Sequence, residues 1–183
     1  CHNVVNALWF GFLLMKEKME RVLDLPRTHQ SQRVGTAFLK TFWRWDRKLF
    51  ADSEGSAHCS LHANLYPACF GLTPAVGEDA YERLLRTPGR ACGPLPMYFA
   101  LRGLGRMGRY KTLYRLLTRE DEYGWRNMLR EGATACFEAW GKDQKWNTSL
   151  CHPWASGAIP LIIEELAGVK PDPDWPGGFR FQP

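Results

Sequence analysis

Apolar residues recur at helical spacing along most of the chain. Val5, Leu8, Phe12, Met15, Met19 and Val22 step by three and four, the interval that lines one face of an α-helix. Leu25-Pro26 ends this segment, because proline has no amide hydrogen to continue the ladder. The pattern predicts a second helix over about 31–50, with Val34, Ala37, Phe38, Thr41, Phe42, Trp45 and Leu49 as its buried stripe. Residues 52–56 read as a loop. A third helix is predicted over about 57–70, with Leu61, Leu65 and Cys69 inward and Gly71 as a left-handed cap.

The same period continues downstream. Tyr81, Leu84 and Leu85 mark a short helix stopped by Thr87-Pro88-Gly89. Pro94 opens another, running through Leu104 and stopped at Gly105 or Gly108. Tyr110, Leu113, Tyr114 and Leu117 mark the next, and a brief helical stretch falls near 123–130. The last helix is predicted over about 153–167, burying Ala155, Ala158, Ile159, Ile162, Ile163 and Leu166, with Gly168 as cap. Residues 170–183 carry four prolines and two adjacent glycines. They should be extended and non-helical, anchored only through Trp175 or Phe179. No period-two alternation is sustained and no Asn-Gly or Asp-Gly turn is present. The expectation is an all-α chain of about seven helices without a fixed-period repeat, which disfavours a solenoid array.

Composition narrows the function classes. With 183 residues, 45% of them hydrophobic, the chain is one globular domain or part of one, and disorder as its main state is excluded. The net charge of +5 invites a nucleic-acid partner. However, Arg102, Arg106, Arg109, Lys111, Arg115 and Arg119 alternate with apolar positions on helical segments, as on a solvated face. No nucleic-acid-binding motif accompanies them, so no such partner is expected. The apolar run from Val4 to Met15 is too short to span a bilayer and lacks the flanks of a signal peptide, so no membrane partner is expected either. The six cysteines contain no CxxC pair and read as free thiols of a reducing compartment. His58, Cys59 and His62 have no fourth ligand at a suitable spacing, so no metal is expected. Serine-hydrolase, phosphate-loop and dinucleotide motifs are missing from the sequence, and no cofactor is expected.

Residues 132–154, GATACFEAWGKDQKWNTSLCHPW, break the helical period. They gather Glu138, Trp140, Trp146, His152 and Trp154 in one polar-aromatic stretch. Long loops on rigid scaffolds tend to carry function, and tryptophan offers a flat apolar face to the C–H side of a sugar ring. Glu138, between Phe137 and Trp140, is expected to be partly desolvated and its pKa raised. From the residues alone, an acid/base carboxylate and a surface glutamate beside core aromatics both remain open.

Residues 132–140 resemble the GATTxWExW segment of the α-L-rhamnosidases of glycoside hydrolase family 78, and residues 149–158 resemble that family's SLNHYxxGxV segment. The order of the two and the gap between them also fit. Residues 123–129 resemble the family's PSWGYML, residues 61–74 its helix ending in FGLVP, and residues 166–171 its LAGIxP. The resemblance implies a six-hairpin (α/α) toroid, of which this chain, beginning at Cys1 rather than methionine, would be the C-terminal portion. Residues 1–171 would belong to the toroid and 172–183 to a tail. It further implies inverting, metal-free hydrolysis of terminal α-L-rhamnosyl residues of a carbohydrate substrate. Glu138 would be the general base, His152 would bind the sugar, and Trp140 and Trp125 would line or support the pocket. Inversion needs two carboxylates roughly 6.5–9.5 Å apart. The family's acid lies in an upstream stretch resembling DERLGW that this sequence does not contain, so the rest of the parent catalytic domain would be a partner. An uncovered apolar patch would then be expected on this chain. Phe137, Ala139 and Cys151 depart from the family pattern, which keeps open a six-hairpin glycosidase of other sugar specificity. A non-catalytic carbohydrate-binding or interaction module also stays open.

Overall fold

The computed structural model describes residues 2–87, 92–172, 175 and 177–182. Cys1, the predicted stop at Pro88-Gly89, and tail residues Pro173, Pro176 and Pro183 lie outside the described residues. Eight α-helical elements and two short hairpins make up the regular structure among them, in keeping with the all-α expectation. None of these helices is long and apolar enough to cross a membrane. The chain divides into two compact units, Cys1–Thr87 and Pro88–Pro183.

In the first unit, α1 (Asn3–Val22) packs on α2 (Gln30–Phe42) and on α3 (His62–Cys69), and α4 (Glu78–Arg86) follows a 3-10 turn at Ala75–Gly77. Ala7, Phe10, Phe38, Phe42, Trp43, Phe50 and Leu72 form its core. The face of α1 that packs inward is Asn3, Ala7, Phe10, Gly11 and Leu13. The stripe from Val5 through Val22 lies instead at 42–64% exposure.

Helix α2 ends eight residues before the predicted boundary at 50. Residues 43–50 fold back as a hairpin of β1 (Trp43–Arg44) and β2 (Leu49–Phe50), pairing Trp43 with Phe50. The side-chain amide of Asn64 accepts from Phe50 N–H at 2.8 Å and donates to Phe50 C=O at 3.1 Å. The Trp43 and Phe50 rings meet at 4.9 Å against Phe38. These tertiary contacts override a weak local preference for helix. They also correct the predicted stripe, since Trp45 is 73% exposed and Ala37 is exposed. Helix α3 likewise begins at His62 rather than near 57. Ser60 Oγ accepts the Ala63 amide at 3.1 Å, giving one orphan donor of the first turn a partner. Leu61, Leu65 and Cys69 are buried as predicted.

The second unit opens with α5 (Pro94–Arg106), α6 (Tyr110–Leu117) and α7 (Trp125–Arg130). Its last helical stretch changes pitch along its length: a 3-10 turn at Pro153–Gly157, then α8 (Ala158–Pro160), then a π-helical segment at Leu161–Leu166. The widening shows in the bond from Ala167 N to Ile162 O, 2.8 Å, an i→i+5 contact. Its inward face is Ala155, Leu161 and Glu165, while Ile159, Ile162 and Ile163 are exposed, which corrects the predicted stripe. Ion pairs fix this phase. Glu165 Oε1 meets Arg102 Nη1 at 2.7 Å and Oε2 meets Lys170 Nζ at 2.9 Å. Gly71, Gly108 and Gly168 all follow helices at positive φ, 80°, 68° and 71°, so the predicted stops fall where left-handed backbone is needed. The tail is non-helical, but it forms a hairpin of β3 (Val169–Pro171) and β4 (Phe179–Phe181). Trp175 and Phe179 are 68% and 69% exposed and do not anchor it.

Candidate functional site

The irregular segment after α7 is organised by two backbone bonds. Glu138 N–H donates to Ser149 C=O at 2.8 Å, and His152 N–H donates to Cys136 C=O at 2.7 Å. They bring the two motif-bearing stretches, around 132–140 and 149–154, side by side. Trp154 Nε1 adds a third link to Glu138 C=O at 3.1 Å. Glu138 and His152, fourteen positions apart, thereby become neighbours.

Glu138 is fixed by both carboxylate oxygens. Lys145 Nζ donates to Oε1, and Ser149 N–H donates to Oε2 at 3.2 Å. Its side chain is only 15% exposed. The Lys145 ammonium, then the Ser149 amide, hold its pKa below the ordinary glutamate range, outweighing burial, and His152 acts in the same direction. This corrects the expectation of a raised pKa. Phe137 is buried at 3%, but it does not isolate the carboxylate, which reaches a cation and a peptide N–H instead. Lys145 is the residue that sequence reasoning missed. The available signal was its place in KDQKW, seven positions after Glu138 in the same loop.

Trp140 forms the floor of the site, with Trp125 packed against it. Their rings meet edge to face at 4.8 Å, and both are buried, at 2% and 9%. Each indole N–H is satisfied by the backbone: Trp140 Nε1 to Cys92 O and Trp125 Nε1 to Ala155 O, both 2.7 Å. Asn127 Nδ2 donates to Trp140 C=O at 2.9 Å and to Glu131 Oε1 at 2.7 Å. Gln144 Oε1 accepts the Trp140 amide at 3.1 Å, while its Nε2 donates to Glu122 C=O at 2.8 Å. Above this floor lies a shallow cleft of about 270 Å³, lined by Cys92, Gly93, Pro94, Tyr123, Glu138, Ala139, Trp140 and Gln144. Glu138 and Trp140 line it directly, and Trp125 lies behind Trp140. His152 stands beside this lining, with its ring 4.2 Å from that of Trp154.

Residues 16–165 match the family model of the bacterial alpha-L-rhamnosidase 6 hairpin glycosidase domain. The chain belongs to that family. No curated protein matches it. Membership in a glycosidase-domain family implies a carbohydrate as the substrate class. The matched range covers all four residues singled out from the sequence, Trp125, Glu138, Trp140 and His152. Away from the cleft, His58 faces Asp52 through Nδ1 at 2.5 Å. Among the described residues, no three His, Cys, Asp or Glu side chains converge as a metal-ligand set.

Proposed function

We propose that this six-hairpin domain serves the inverting hydrolysis of terminal α-L-rhamnosyl residues, with Glu138 as general base. The observation that carries the reading is the Glu138 carboxylate, held ionised at the edge of a cleft in a family-matched domain. An ionised carboxylate can take a proton from water as the water oxygen attacks the anomeric carbon, while a general acid protonates the departing oxygen. Glu138 is the carboxylate among the described residues that line this cleft, so the acid comes from outside that lining. His152, on the stretch that returns beside Glu138, hydrogen-bonds the sugar. Trp140 supplies an apolar floor and Trp125 supports it.

The test is made in the full-length protein. Glu138→Gln keeps the shape of the side chain but removes its basicity. On an aryl α-L-rhamnoside, kcat should fall by about 10²–10⁴, with little change in KM. Azide should restore turnover to Glu138→Ala and leave a β-rhamnosyl azide, because the small anion enters from the face water would use. His152→Ala should lower kcat/KM through both parameters. Near wild-type turnover by Glu138→Gln would remove the base assignment and put a non-catalytic carbohydrate-binding role first. Selective hydrolysis of a different aryl glycoside would keep the base and change the sugar.

A further inference from the structure

We infer that Lys145 is the positioning residue of the catalytic carboxylate: its ammonium on Oε1 and the Ser149 amide on Oε2 together fix the carboxylate plane of Glu138. This rests on the reading of Glu138 as the base, but its geometry is independent of the sugar. A carboxylate oxygen has two lone pairs. Lys145 and Ser149 take one on each oxygen, so each oxygen keeps one acceptor site for water. Orientation matters because a misplaced base loses rate steeply. Backbone geometry supports the clamp from both sides. Glu138 N–H donates to Ser149 C=O at 2.8 Å, so the residue whose amide holds the carboxylate is also paired to the Glu138 backbone. Thr148 Oγ1 donates to Lys145 C=O at 2.9 Å, closing the turn that carries the lysine back to the glutamate.

The titratable groups nearest Glu138 are Lys145 on its own loop, His152 on the returning stretch, and Tyr123 and Cys92 on the cleft wall. Burial pushes the Cys92 thiol up to about 12, so it is uncharged at neutral pH. Tyr123 is raised by its hydrogen bond with Glu122 and is neutral as well. Lys145 is therefore the main cation acting on Glu138, and His152 acts in the same direction.

The experiment is a carboxyl ¹³C NMR titration of Glu138 in the full-length protein, for wild type, Lys145→Met and Lys145→Arg, with pH-rate profiles on an aryl α-L-rhamnoside. The expected wild-type result is Glu138 titrating below the ordinary glutamate value. Lys145→Met keeps the stem and removes the charge. It should move that titration, and the acidic limb of kcat/KM, to higher pH and lower kcat by about 10–100-fold. Lys145→Arg should restore most of both. A wild-type Glu138 titrating at or above the ordinary value would overturn the proposal without any variant being needed. So would a Lys145→Met titration that superimposes on wild type. Failure of the base reading looks different: Glu138→Gln stays active while the lysine-dependent titration persists.

Discussion

A glutamate flanked by Phe137 and Trp140 in sequence looks desolvated, yet adjacent positions do not share surroundings once the chain turns. Phe137 goes into the core, Trp140 becomes floor, and the carboxylate turns to Lys145 and the Ser149 amide. The motif around Glu138 singled it out as a candidate. The direction of its pKa was not legible, because its main partner arrives from a loop with no regular period. Trp140 lines the cleft with Glu138 and Trp125 packs against it, but their indole N–H groups are spent on backbone carbonyls. This gives a prediction. Trp140→Phe keeps the edge-to-face ring pair with Trp125 but leaves the buried Cys92 carbonyl without its donor. Urea unfolding should show a loss of about 1–3 kcal/mol. A loss below a few tenths would mean that another donor reaches Cys92 C=O.

At the scale of elements, the early end of α2 was missed because Asn64 holds residue 50 from outside the helix, and the start of α2, predicted near 31, is also held from outside. Helix α2 carries no cap of its own: its N-cap residue is His29, at φ 50°, without a side-chain cap bond. Glu17 of α1 takes that role from across the helix pair. Its Oε1 accepts Ser31 N–H at 2.8 Å and its Oε2 accepts Ser31 Oγ at 2.6 Å. An anion at a helix N-terminus is favourable on electrostatic grounds as well. The Ser31 hydroxyl and then its amide hold the Glu17 pKa below the ordinary 4.5, outweighing burial. A depressed folded-state pKa adds stability above the unfolded value, and that stability is lost as pH falls through the folded one. Glu17→Ala should therefore cost about 1 kcal/mol at neutral pH. The gap to wild type should close below pH 4.5 in paired denaturant titrations. A gap that stayed constant down to pH 3 would assign the loss to packing rather than to charge. No stretch of the sequence signals this cross-helix cap, since Glu17 and Ser31 lie fourteen positions apart.

For the whole molecule, the fold class was legible because helical period is a local property that survives any tertiary arrangement. Which face of each helix turns inward was less so. In α1 the bulkier stripe is exposed and a face with smaller members, Ala7 and Gly11, packs, because these let α2 and α3 come close. A Cβ added at Gly11 would lie 2.5 Å from the Phe70 ring, so inward bulk is excluded there. The outward stripe includes Trp9 and Phe12, stacked at 5.3 Å, with Met15 and Met19 at 59% and 63% exposure. A contiguous apolar strip along a 20-residue helix exceeds what single scattered surface residues present. Charge placed on it should therefore leave folding intact. Combined Phe12→Lys, Met15→Lys and Met19→Lys substitutions in this 183-residue chain should each cost no more than about 0.5 kcal/mol. They should also lower binding of a hydrophobic dye and self-association in sedimentation. A drop in stability of several kcal/mol would mean that the strip is covered in solution, because burying three new ammonium groups without partners is strongly unfavourable.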